Sequence, residues 1–154
     1  CSYLSNNKVL ACGGSWMVKP DLISSGNFAE ITRLSQEAVS IMLGFEFAHL
    51  GINEENKDKA LNSASLFSHL FNFPLKEGAS SIFAGSTFEI MKNQYLGKHG
   101  HIAIATNDIH RAIAYLKKKG ISVLPETAKE KDNKLKAIYI AQEISGFAIH
   151  LLQK

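Results

Sequence analysis

From Phe45 to Gln153 the apolar residues run through strand, helix and three strands, and then through the same order again. Internal repetition of this kind constrains a fold more than any single motif, because each copy must bury its open face against the other. In the first copy Phe45 to Ile52 has strand character and ends at Asn53. Residues 56–72 follow, with Ala60, Leu61, Ala64, Phe67, Leu70 and Phe71 at helical spacing. Short strand candidates come next at Pro74–Glu77, Ser80–Ala84 and Thr87–Lys92. The pattern restarts at His99. His99–Thr106 reads as a strand, and Asn107 or Asp108 caps a helix that carries Ile109, Ala112, Ile113 and Leu116 on one stripe. Gly120 stops that helix. Strand candidates at Ser122–Pro125, Leu135–Gln142 and Phe147–Gln153 complete the second copy. The order is βαβββ twice, with a period of roughly 50 residues.

That order, together with FAHLGIN, TFEIMK, GHIAIATNDIHRAIAYLKKKG and GFAIHLLQK, resembles the vicinal oxygen chelate (glyoxalase/bleomycin resistance/dioxygenase) superfamily over residues 45–154. The resemblance implies an α+β fold in which two modules curl a mixed sheet into a cup around a divalent metal. It also implies that the ligands come from the first and last strands of each module, which here are His49, Glu89, His101 and His150. Side chains alternate between the faces of a strand, so parity checks this set independently. Leu50 and Ile52 oppose His49, Phe88 and Ile90 oppose Glu89, Ile102 and Ile104 oppose His101, and Ile149 and Leu151 oppose His150. One face is therefore bulky and apolar. The other carries the candidate ligands among small neighbours, Gly51, Ala103, Ala105 and Ala148, which leave room for a pocket.

Many members of that superfamily have a carboxylate at the last position, where this chain has His150. Three imidazoles and one carboxylate suit Zn, Ni, Fe, Mn or Co, and ligand type does not choose among them. Glu89 and His150 are the candidate catalytic groups. Other polar residues rank lower: His99 as a rim residue, Tyr95 and Lys98 in the loop between modules, and His69 and His110 on outward helix faces.

Residues 8–43 have a different character. Val9-Leu10-Ala11-Cys12 is a short apolar run expected to form a buried strand, and Gly13-Gly14-Ser15 breaks it. Asn27 with Glu30 has the spacing of a capping box. Ile31, Leu34, Ala38 and Ile41/Met42 then mark a helix that ends at Gly44. The segment KVLACGGSWMVKPDLISSGNFAEITRLSQEAV resembles the end of 2-keto-3-deoxy-6-phosphogluconate / 4-hydroxy-2-oxoglutarate aldolases. The resemblance covers residues 3–43 and implies the last βα unit of a (β/α)8 barrel. It also implies that Gly13, Gly14 and Ser15 hold a substrate phosphate in an intact barrel. Trp16 belongs to the same motif and reads as a packing residue. The Schiff-base lysine and the glutamate of those enzymes come from earlier strands, so no aldolase activity is expected of this polypeptide alone. The expected division is 1–43 and 44–154, in a fragment of a bifunctional parent.

Composition narrows the partners. The net charge is +3, and Arg33 and Arg111 are the only arginines. Lys117-Lys118-Lys119 falls at a helix end, where cations meet the macrodipole. A nucleic-acid partner is not expected. No stretch has the length and hydropathy of a membrane span. Two cysteines, Cys1 and Cys12, suggest no disulfide framework, and a cytoplasmic setting is expected. A small oxo or hydroxy acid substrate and a homodimer follow from the resemblances. Three functions stay open: a metal-dependent lyase or isomerase, a metal-free regulatory or oligomerisation module of an aldolase, and a non-haem iron dioxygenase.

Overall fold

A computed structural model describes residues 6, 8, 9 and 11–154. The repeated pattern folds into one eight-stranded sheet. The first module is β1 (Glu46–Asn53), helix α3 (Lys57–Phe71), β2 (Leu75–Glu77), β3 (Ser81–Ala84) and β4 (Phe88–Met91). The second is β5 (Gly100–Thr106), α4 (Ile109–Lys118), β6 (Val123–Lys131), β7 (Lys134–Ile144) and β8 (Phe147–Gln153). Within the modules β1 runs parallel to β4 and β5 parallel to β8, while the modules join by the antiparallel pair β1–β5. The strand order, β2-β3-β4-β1-β5-β8-β7-β6, is a palindrome about that seam, as a duplicated unit with a local two-fold would give.

Both module helices cover the apolar face found by parity. In α3, Ala60 and Ala64 lie one turn apart and are fully buried, so the helix backbone sits close over Ile82 and Ile90. In α4, Ile109 and Ala112 pack on Ile138 and Leu151. The caps explain where these helices start. Asn56 accepts from the Lys59 N–H at 3.0 Å and Asp108 from the Arg111 N–H at 2.9 Å, satisfying donors that the first turn leaves free. The sheet's other face is left to the polar residues.

The second module differs from expectation at one edge. β6 continues through Lys131 instead of stopping at Pro125, and a tight turn at Asp132-Asn133 reverses it into β7. Both turn residues have left-handed backbone, φ 53° and 55°, the geometry that suits a hairpin and that Asp and Asn tolerate. The ladder shifts register between Leu124 and Lys129. Thr127 holds that irregularity: its hydroxyl donates to the Leu124 carbonyl at 2.6 Å and accepts from the Tyr139 N–H at 3.0 Å.

The N-terminal segment departs further. Val9, Ala11 and Cys12 are irregular instead of forming the expected strand, and Leu10 lies outside the described residues. No strand of the sheet pairs with the described residues of this run, and an apolar strand without a neighbour leaves its own ladder groups unsatisfied. A 3₁₀ turn at Ser15–Met17 and a short helix α1 (Pro20–Ser24) lead into α2 (Phe28–Leu43). Asn27 caps α2 by accepting from the Glu30 N–H, but Glu30 itself pairs with Arg33, so the expected capping box is one-sided. The end of α2 is fastened to the sheet. Leu43 enters the core beside Ile109 and Leu151. Its carbonyl accepts from the Thr106 hydroxyl at 2.7 Å and from the Asn107 N–H at 2.9 Å. The stripe of Ile31, Leu34 and Ala38 is only half-buried.

Candidate metal centre

The sheet registers place the four sequence-derived ligands on two adjacent rows of one face. On the first row Glu89, Gly51, His101 and Ala148 are successive neighbours across β4, β1, β5 and β8. On the second, His49, Ala103, His150 and Tyr139 neighbour one another across β1, β5, β8 and β7. Large candidate ligands thus alternate with Gly or Ala along each row. Gly51 is the tightest case, because a Cβ there would occupy the position of the His101 imidazole. The missing side chain lets Glu89 and His101 meet from strands on either side of β1.

The side chains converge. Glu89 Oε2 lies 3.1 Å from His49 Nε2 and 3.1 Å from His101 Nε2, and the two imidazole nitrogens are 3.3 Å apart. Each of His49, His101 and His150 offers a ring nitrogen within 4.8 Å of the other two. First-row cations bind imidazole and carboxylate at about 2.0–2.2 Å, which sets neighbouring ligand atoms roughly 2.9–3.5 Å apart. The Glu89, His49 and His101 atoms therefore fit such an ion, with His150 close by. The other partners support the fit. The Ser81 hydroxyl donates to Glu89 Oε1 at 2.6 Å, which leaves Oε2 turned to the histidines. His101 is 2% exposed and His150 7% exposed. Neither ring nitrogen of His150 has a hydrogen-bond partner, and such buried orphans are uncommon unless something else satisfies them.

The environment sets the charges. Burial would raise the Glu89 pKa, but hydrogen bonds from His101, His49 and Ser81 overturn that and hold the carboxyl far below the ordinary range. Burial pushes His150 down to about 3, with His101 and His49 adding to the effect, so its imidazole stays neutral and keeps a lone pair at physiological pH. Tyr139 stacks on His150, ring centroids 4.8 Å apart and planes 20° apart. Burial also keeps the Tyr139 phenol protonated well above its usual range.

A cavity of about 200 Å³ opens on this cluster, bounded also by Phe83, Met91, Tyr95, Lys129 and Leu152. Residues from β3 and from β6, far apart in strand order, line the same space, so the sheet closes as a cup. Tyr95 reaches it from the loop between modules, which Asn53 pins by donating to the Tyr95 and Gly97 carbonyls. His99 instead packs on Phe147, and His69, Lys98 and His110 are exposed. Gly13 and Gly14 border a separate cleft of about 520 Å³ with Trp16, Met17 and Met42. Gly14 is extended and Ser15 opens the 3₁₀ turn. Ser81, Lys129 and Tyr139 escaped the sequence reading. Tyr139 shares the inward parity of Ala137 on β7, a signal present but unused.

No family model matches the chain. Two curated relatives, the 2-dehydro-3-deoxy-phosphogluconate aldolases of Treponema pallidum and Haemophilus influenzae, are each 48% identical over 40 residues. Those residues are 26% of this chain and 19% of each relative, so the chain spans about a fifth of the length of the aldolases it matches. Solved structures share the fold. A hypothetical protein of Bacillus halodurans C-125 superposes with TM-score 0.53 at 14% identity, covering 71% of this chain and 94% of that one. A variant of the Streptomyces coelicolor methylmalonyl-CoA epimerase, in complex with 2-nitronate-propionyl-CoA, gives 0.51 at 14% identity over the same shares. The Mycobacterium tuberculosis methylmalonyl-CoA epimerase gives 0.50 at 17% identity, covering 70% and 86%. The fold is that of these glyoxalase-like epimerases.

Proposed function

We propose that the paired βαβββ modules hold a divalent cation through His49, Glu89, His101 and His150 and carry out an isomerase or lyase reaction on a small oxo or hydroxy acid. The contact of Glu89 with His49 and His101, and the otherwise unpartnered His150 with a ring nitrogen within 4.8 Å of those two histidines, carry this reading. A divalent cation there would supply Lewis-acid polarisation of a substrate carbonyl. The chain's own groups do the rest. Ionised Glu89, oriented by Ser81, offsets positive charge. Neutral His150 keeps a lone pair free to serve as a fourth donor, and stacked Tyr139 fixes its ring plane. Phe83, Met91 and Leu152 exclude water from the reacting end.

The test is metal content of protein purified without chelator or metal-binding tag. About one equivalent of a divalent ion is expected, with loss in His49→Ala and His101→Ala while far-UV circular dichroism is retained. Wild-type protein that binds no ion under saturating Zn, Ni or Mn would leave only a binding module. One observation favours a second reading: Glu89, His49 and His101 form a tighter trio than the set including His150. Two histidines and a carboxylate with open positions would suit non-haem iron, and substrate-dependent oxygen uptake by iron-loaded protein would identify that chemistry.

The 40-residue aldolase match supports reading residues 1–43 as the last βα unit of an aldolase-like barrel, followed by a separate domain from Gly44. In an assembled barrel Gly13, Gly14 and Ser15 would contact phosphate. The chain itself would release no pyruvate from 2-keto-3-deoxy-6-phosphogluconate.

A further inference from the structure

The cup has one cation on its inner surface, among the described residues that line it, and the proposed metal chemistry leaves that cation without a task. Lys129 sits on β6 opposite Ala137, and Ala137 is opposite Leu152 on β8. Leu152 has the parity of His150. Lys129 therefore belongs to the ligand-bearing face, one row beyond His150, and borders the same cavity. It is the one lysine among the described residues that borders this cavity. Its position is also built. The register shift in β6 falls at Lys129, and Thr127 bonds across that irregularity to Leu124 and Tyr139. Bulges of this kind re-aim side chains beside functional sites.

We propose that Lys129 is the residue that selects the substrate, by binding the carboxylate of a small monoanionic acid whose oxo or hydroxyl oxygen faces the metal position. This inference rests on the metal-site reading. Charge supports it: a divalent ion with one carboxylate ligand and three neutral imidazoles keeps net positive charge, and Lys129 adds to it at the mouth. Size supports it as well. The cavity of about 200 Å³ admits an acid of a few carbons at its reacting end. Two inter-strand steps of about 4.8 Å separate β6 from β8, a gap that a lysine side chain and a short acid span together. The apolar walls, Met91 and Leu152, suit the methyl or methylene end of such an acid.

The test uses the full chain loaded with Ni or Zn, with pyruvate as the probe in isothermal titration. Lys129→Gln should weaken pyruvate binding about tenfold or more, as expected for a lost charge-assisted contact, and Lys129→Arg should restore most of it. Metal affinity should stay the same in both variants. Lys131→Gln removes an equal charge from the same strand and should leave pyruvate affinity within about twofold. Equal pyruvate affinity in wild type and Lys129→Gln, with metal bound in both, would overturn the inference and leave the metal reading standing. Equal weakening by Lys129→Gln and Lys131→Gln would overturn it too, since general charge would then explain the effect. Failure of wild-type protein to take up metal would remove the metal reading and this inference with it.

Discussion

Gly51 shows how one absent side chain can decide a site. The His101 ring fills the space where a Cβ would stand, between Glu89 and His101 in the same row of the sheet. Gly51→Ala should weaken metal affinity at least tenfold by displacing His101, the range seen when support of a ligand is lost. It should also cost about 1–3 kcal/mol of stability through overpacking. Competition titration with a chromophoric chelator and chemical denaturation measure the two effects. Ser81→Ala makes a different change: Glu89 loses one partner while the space remains, so metal affinity should fall with stability little altered. The pH dependence of the metal-free protein follows from two depressed groups. His150 titrates near 3 in the fold against 6.5 unfolded, and Glu89 lies far below its unfolded 4.5. Each binds more protons unfolded than folded, so both contribute stability that is complete above about pH 6.5 and is lost as pH falls. Thermal midpoints measured with chelator present should drop between pH 6.5 and 4.5, and His150→Gln should flatten that part of the curve.

At the scale of elements, what periodicity fixes was legible and what context fixes was not. The alternation around His49, Glu89, His101 and His150 assigned each to one face, because strand parity is local and exact in period. The helices over Ala60–Phe71 and Ile109–Leu116 were equally readable from their stripes and caps. The Val9–Cys12 run misled because continuous apolar residues describe a strand only when neighbours supply its ladder, and no strand here does. The length of β6 was hidden because Glu126, Lys129, Glu130 and Lys131 give it no apolar alternation, although Asp132-Asn133 carried a turn signal. Lys129 was invisible for the same reason: its facing depends on a register shift. The joint between α2 and the sheet rests on Leu43, which is 2% exposed. Leu43→Ala should cost about 2–5 kcal/mol, as for buried leucines generally. A parallel rise in hydrogen exchange along α2, with β1–β4 unchanged, would show that the helix is anchored chiefly at its end.

Across the whole molecule, each module supplies half of the proposed donor set, His49 and Glu89 from one and His101 and His150 from the other. Among the described residues, the one sheet ladder joining the halves is β1 against β5. A cation shared by these four groups would act as a clasp across that seam. Its binding energy would then be association energy, in the sense that whatever grips both halves raises their effective concentration for each other. Cutting the chain in the Asn93–Lys98 loop would turn the fold into two pieces that recognise one another by the β1–β5 ladder and the Leu43 joint alone, or by these and metal together. Co-expressed halves, residues 1–95 and 96–154, should co-purify more strongly with added Zn or Ni than with chelator, and His101→Ala should abolish the difference. Association that ignores metal would mean that the seam and the Leu43 joint hold the cup shut without a clasp.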